Sequence, residues 1–165
     1  MPEYITFRGN LLDHAFNGII AHGCNSIGKF GAGFALDLSK KYPQARQAYM
    51  DSFSNKIFKK LELGSMTYCI VSDTLCVANL VTQTGYGRSK RRYVDYPAVA
   101  KAFTRLGQWM STSSYMEKID KIIHIPKIGT GLGGGDWTII KRLIEESLSP
   151  FPLIEKVVIY ELLYR

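Results

Sequence analysis

A chain of 165 residues with 46% hydrophobic and 12% aromatic residues can bury one sizeable core and is short for two enzyme-sized domains, so a single domain over 1–165 is expected. No apolar stretch approaches the roughly 18 residues a membrane helix needs, and Met1 to Arg8 shows no basic-then-apolar leader pattern, so a cytoplasmic protein without a membrane partner is expected. The formal charge of +7 favours anionic partners without choosing among them.

In chain order, Tyr4–Arg8 alternates as a strand does and ends at a Gly9-Asn10 turn. Gly18–Ala21 is a short buried strand. From about Ala32, residues Phe34, Ala35, Leu38 and Tyr42 recur at helical intervals until Pro43 breaks the run, and a second helix begins at Ala45. Ser65–Val71 and Leu75–Val81 read as strands of a hairpin turned by Ser72-Asp73-Thr74. Pro97 leads into a helix whose apolar face is Val99, Phe103, Leu106 and Met110; Ile119–Ile125 is the next strand. Trp137, Ile140, Leu143, Ile144 and Leu148 face one side of a further helix, and Lys156–Tyr160 closes the pattern as a strand. Strands alternating with helices predict an α/β sandwich with a mixed sheet covered on its faces.

Cys24, Cys69 and Cys76 form no CxxC pair and, with His14, His22 and His124, no zinc spacing, so free thiols and no metal or cofactor are expected. The densest basic patch, Arg88-Ser89-Lys90-Arg91-Arg92-Tyr93, reads as a solvated surface, as a contact for a small phosphorylated ligand, or as a nucleic-acid contact.

Two segments suit one ligand. HGCNSIGKFGAG, from His22 to Gly33, and IPKIGTGLGGGDW, from Ile125 to Trp137, both follow strands and precede helices. Strand carboxyl ends form the ligand crevice of open α/β sheets, glycine permits close backbone approach, and N–H groups at a helix start receive phosphate oxygens. A diphosphate fits; plain tight turns are the simpler alternative. Neither GxGxxG nor a Walker A loop is present. Asn25 offers a donor and an acceptor to sugar hydroxyls, and Lys29 a charge to phosphate. His22 can exchange a proton near neutral pH or stand as a hydrogen-bonded post. Asp136 reads equally as its acidic partner or as a helix N-cap. Cys24 lies two residues from His22, on the same side of an extended segment, but no third residue orients it as a nucleophile.

Taken together, YITFRGNLL at 4–12, IIAHGCNSIGKFGAGFALDLSKKYP at 19–43, VANLVTQTGYG at 77–87, IPKIGTGLGGGDW at 125–137 and KVVIYEL at 156–162 closely resemble the macro domain family, which binds ADP-ribose. The likeness is greatest to the branch of yeast-type ADP-ribose 1''-phosphate phosphatases. It implies a three-layer α/β/α sandwich with a central mixed sheet. It implies that Asn25 and Gly31-Ala32-Gly33 address the distal ribose, that Gly129, Thr130, Gly131, Leu132, Gly133 and Gly134 wrap the diphosphate, and that Tyr160 packs near adenine. Many relatives carry Gly-Asp where this chain has Gly9-Asn10; Asn10 keeps an acceptor oxygen without the charge. The resemblance makes His22 the base candidate; Asp136, which the resemblance does not itself assign, is the candidate to orient His22 or the attacking water. Gln83 stands where the DNA-directed hydrolase branch has a catalytic lysine. Removal of the terminal phosphate from ADP-ribose 1''-phosphate is therefore the leading expectation, ahead of cleaving ADP-ribosyl conjugates of protein, nucleic acid or small molecules, and of noncatalytic binding. Expected partners are ADP-ribose or its 1''-phosphate and an ADP-ribosylated macromolecule; the oligomeric state stays open.

Overall fold

The computed structural model describes residues 1–53, 60–85, 92–130 and 133–162. Its elements are β1 (Glu3–Arg8), α1 (Leu11–His14), β2 (Gly18–Asn25), α2 (Gly33–Lys41), α3 (Pro43–Asp51), β3 (Met66–Ser72), β4 (Leu75–Gln83), α4 (Tyr96–Thr112), β5 (Ile122–Pro126), α5 (Trp137–Leu148) and β6 (Lys156–Glu161), with a 3-10 turn at Ser114–Glu117. The strands lie in the order β1-β6-β5-β2-β4-β3. Neighbours are parallel except β3 and β4, the expected hairpin, so the sheet is mixed.

Strand alternation divides the core into two layers. Ile19 and Ala21 of β2, Cys76, Ala78 and Leu80 of β4, and Ile123 and Ile125 of β5 face α4 and α5, where Val99, Phe103, Leu106, Met110, Ile140, Ile144 and Leu148 meet them. The alternate residues Ile20, Cys24, Val77 and Val81 face the other way, against Leu11 and Leu12 of α1, Leu38 of α2 and Ala45 and Tyr49 of α3. Each valine, leucine, isoleucine, phenylalanine or methionine among them taken fully out of water contributes about 1.5–3 kcal/mol. The expected faces of α4 and α5 are therefore faces that the sheet covers, while on α2 only Leu38 of the expected face is fully buried. Among the described residues no helix is long and apolar enough to cross a membrane.

Several boundaries differ from expectation: α3 starts at Pro43, whose fixed φ suits the first helical turn, and not at Ala45, and β4 runs on to Gln83. β2 runs on through Asn25, so His22 to Asn25, expected as loop, pairs with β4, in register as far as Cys24 and with a shift before Asn25, which lies opposite Gln83. A polar residue tolerates that buried strand because His22 lies opposite Asn79, another buried polar residue. β5 starts only at Ile122; Ile119 is buried from the connection before it, where Lys121 Nζ donates to the carbonyls of Met116 and Ile119. α1 and the 3-10 turn, four residues each, are too short to announce themselves by periodicity.

Candidate functional site

The five parallel strands deliver their carboxyl ends to one edge of the sheet, and there a cleft of about 1400 Å³ opens between α1, the segments after β2 and β5, and the end of β6. Drug-sized ligands occupy roughly 300–1,000 Å³. A cleft of this size suits a longer, two-ended molecule.

One end is built from the Ser26–Ala32 loop. Asn25, at the last position of β2, organises it: its Oδ1 accepts from the N–H groups of Ile27 and Lys29, both at 3.1 Å, and its Nδ2 donates to the Lys29 carbonyl at 2.5 Å. Beneath the loop stands Tyr49 of α3, fully buried, whose hydroxyl accepts from Gly28 N–H at 3.0 Å and lies 2.7 Å from the Asn25 carbonyl oxygen, to which it donates. Pinned at that side, the loop leaves Gly31 open: a Cβ added there would meet nothing within 4 Å. α2 then begins at Gly33 with no side chain capping its first N–H groups and no acidic residue in its first turn. Those free donors and the positive end of the helix dipole lie beside the cleft. Lys29 and Arg46, both exposed, line the same end.

The Lys127–Asp136 loop is made differently. Gly135 N–H donates to the Gly129 carbonyl at 2.7 Å, Gly133 N–H to that of Thr130 at 3.2 Å, and the Gly133 carbonyl accepts from Tyr93 and Val94 N–H. A Cβ on Gly135 would stand 2.6 Å from Val94 and 2.8 Å from Ile140 and the Gly129 carbonyl. Close packing onto the core, rather than approach to a ligand, requires that glycine. The helix that follows is capped: Asp136 Oδ1 accepts from Thr138 N–H at 2.8 Å. The expectation that both segments lead to open helix starts therefore holds for α2 and fails for α5, where a carboxylate already occupies the position an anion would take.

His22 forms part of the cleft floor yet is only 1% exposed. Its Nε2 lies 2.5 Å from Asn79 Oδ1. Asn79 uses its Nδ2 to donate to the Ala45 carbonyl at 2.9 Å and to Thr67 Oγ1 at 3.0 Å, so its oxygen faces the imidazole and His22 carries its proton on Nε2. The lone pair is then on Nδ1, 3.9 Å from Cys24 Sγ. Phe30 and Phe34 pack against the ring at centroid distances of 5.4 and 5.6 Å. Burial, partly offset by the Asn79 bond, lowers the pKa of His22 to about 4. It is neutral at physiological pH. Burial pushes the Cys24 thiol in the opposite direction, upward, away from a nucleophilic thiolate.

The far end of the cleft is aromatic. Tyr160, at 7% exposure, lines it, with Phe7 edge-on at 5.6 Å. Here the buried His124 donates from Nε2 to the Asn17 carbonyl at 2.9 Å, which leaves Nδ1 to accept the Tyr160 hydroxyl at 2.8 Å. Asn10 flanks the tyrosine on the next strand end, and Lys127 pairs with Glu161 at 2.5 Å on the rim. Lys127 holds the Glu161 carboxyl below its usual range.

The chain is similar to known proteins along nearly its whole length. An ADP-ribose 1''-phosphate phosphatase of Candida albicans is 29% identical over 154 residues, covering 88% of this chain and 93% of its own. A protein of unknown function from Bacteroides thetaiotaomicron superposes with a TM-score of 0.78 at 31% identity, covering 96% of this chain and 98% of that one. A macrodomain protein from Streptomyces coelicolor gives 0.73 at 28% identity, covering 96% and 99%. The chain belongs to the macrodomain family. No family model matches it.

Of the residues singled out in the sequence, Asn10, His22, Asn25, Lys29, Gly31, Ala32, Gly33, Gly129, Thr130, Gly133 and Tyr160 line this one cleft of the macrodomain. Asp136 and Gly134 are not among its lining, and Gly131, Leu132 and Arg88 to Arg91 lie outside the described residues. Asp136 is exposed and caps α5, so the group that meets His22 is Asn79 and not Asp136. Arg92 lies over the Tyr96 ring at 4.3 Å. Sequence reasoning missed Tyr49, Asn79, Arg46 and His124. Arg46 and Met50, four apart on α3 and both lining the cleft, carried a legible signal, since that spacing shares one helix face, about 100° round from the buried Ala45 and Tyr49.

Proposed function

We propose that this macrodomain binds ADP-ribose and hydrolyses ADP-ribose 1''-phosphate to ADP-ribose and phosphate. The observation that carries the binding half is the two-ended cleft: uncapped α2 with Lys29 and Arg46 at one end, the Tyr160 ring at the other. Phosphate groups are stabilised by free helix-start N–H groups and neighbouring cations, and a nucleoside base by an aromatic face. The choice of reaction draws on the likeness to the Candida albicans phosphatase. In this reading His22 is the proton acceptor, neutral with its lone pair on Nδ1, and α2 with Lys29 balances the charge that develops on the departing phosphate. Water reaches that nitrogen only when Phe30 or Phe34 moves, since the ring is 1% exposed.

That burial favours a second reading, a noncatalytic ADP-ribose binder in which His22 is an interior post. The two part in one experiment. Purified protein is titrated with ADP-ribose by calorimetry and incubated in parallel with ADP-ribose 1''-phosphate and with ADP-ribosylated protein and DNA, phosphate and ADP-ribose release being measured separately. Saturable binding with enzyme-dependent phosphate release is the expected result. Binding without release from any substrate selects the noncatalytic reading, release of ADP-ribose alone makes the protein a conjugate hydrolase, and absence of binding removes the proposal.

A further inference from the structure

We infer that Asn10 makes the aromatic end of the cleft tolerant of the purine it holds: it presents hydrogen-bond donors to a ring acceptor and does not depend on an exocyclic amine. The chain then takes the hypoxanthine counterpart, inosine diphosphate ribose, about as well as ADP-ribose. This rests on the ADP-ribose reading above and specifies its substrate class.

The base belongs at the Tyr160 end because the opposite end is cationic and suited to phosphate. Tyr160 does not read the base edge. Its hydroxyl is committed to His124 Nδ1 at 2.8 Å, and His124 is fixed in that tautomer by donating to the Asn17 carbonyl at 2.9 Å. What remains is the ring, and stacking on an aromatic ring discriminates little between bases. Discrimination then falls to polar groups flanking the ring. Pairing of β1 with β6 sets Phe7 beside Tyr160 and Arg8 beside Glu161, and Gly9 N–H donates to the Glu161 carbonyl at 2.8 Å, so Asn10 is the next side chain along that rim. The carboxylate of Glu161 is held by Lys127 at 2.5 Å.

Asn10 has a fixed polarity. Its Oδ1 accepts from Leu12 N–H at 3.1 Å as the N-cap of α1, which turns the amide oxygen toward the helix and leaves the Nδ2 hydrogens for the cleft that Asn10 lines. Adenine offers this group its N1 lone pair; hypoxanthine, which carries a hydrogen on N1, offers the neighbouring O6, so each purine gives the amide one acceptor once the base slides by one ring position. An aspartate of the same shape would accept from the adenine amine and face the hypoxanthine oxygen with like charge, a mismatch that specificity commonly exploits.

Calorimetric titration of the wild type and of Asn10→Asp with ADP-ribose and inosine diphosphate ribose tests this. Asp caps a helix as well as Asn, so the variant should melt with the wild type. Wild-type Kd values within about threefold of each other, separating by roughly tenfold in favour of ADP-ribose in the variant, are expected from a new hydrogen bond to the adenine amine and a repulsion toward the hypoxanthine oxygen. A wild type that already prefers ADP-ribose by about tenfold, with a ratio Asn10→Asp leaves unchanged, overturns the inference and assigns amine recognition elsewhere, while the ADP-ribose reading survives. Failure of both ligands to bind overturns that reading and this inference with it.

Discussion

In the Ser26–Ala32 loop a Cβ on Gly31 would meet no atom within 4 Å, whereas in the Lys127–Asp136 loop a Cβ on Gly135 would press 2.6 Å from Val94 and 2.8 Å from the Gly129 carbonyl. The helices that follow differ in the same sense: α2 starts uncapped by any side chain, α5 starts under the Asp136 carboxylate. Both loops are rich in glycine and both leave neighbouring parallel strands, yet at Gly31 space is kept open on the cleft and at Gly135 it is closed against the core. Glycine content does not separate these uses. What a side chain would touch does.

The largest expected effect is on the closed side. Gly135→Val should lower stability by about 3 kcal/mol or more, since Val94, Ile140 and a backbone carbonyl would all have to move. Gly31→Val should cost less than about 0.5 kcal/mol and weaken ADP-ribose binding by roughly tenfold by filling the approach. Denaturant unfolding and calorimetry on the two variants check both values; equal destabilisation would end the contrast.

At the floor of the open loop, acidity is the probe. Burial holds His22 at about 4 against an ordinary 6.5. Between those values the unfolded chain takes a proton that the folded chain refuses. Stability is therefore complete above about pH 6.5 and falls as pH drops toward 4, by up to about 1.4 kcal/mol per unit. His124, also lowered by burial, adds in the same direction. His22→Gln keeps a donor for Asn79 and removes the titration, so its stability, followed by urea unfolding from pH 7 to 4.5, should change less with pH than the wild type's. An unchanged slope would mean that the ring already meets water, as a working base needs. Tyr49→Phe, which strips the loop of the hydroxyl beneath Gly28 and Asn25, should lose about 1–2 kcal/mol in the same measurement.

Element order, hairpin and helical faces were legible from periodicity, because burial on one face imposes it, whereas the cleft residues came from the glycine-rich segments after strands and from the macro domain likeness. The post beneath the loop was not. Tyr49 reads as one more apolar position of α3, and only folding brings its hydroxyl to Gly28, 21 residues away in sequence. Asn79 lay hidden in the apolar run of β4 for the same reason: its meaning depends on the strand beside it, where it meets His22. Asp136 shows the opposite case. Its two readings, acid and cap, were both open in the sequence, and the helix start at Trp137 gives its carboxylate the N–H group of Thr138.

Asp136 also allows the smallest and most direct manipulation of the contrast between loops. Asp136→Ala should cost about 1 kcal/mol by removing the cap, and Asp136→Asn only a few tenths, because asparagine caps as well. The asparagine variant also removes a negative charge from the α5 start and brings it closer to the state of α2. A helix-dipole interaction of about 0.3 kcal/mol converts to less than a twofold gain in affinity for the diphosphate ligand. Calorimetry against ADP-ribose would resolve that gain, and phosphate release should follow the wild type. A hundredfold loss of release in Asp136→Asn, with folding intact, would return the residue to the chemistry and require the second loop to move its carboxylate into the cleft.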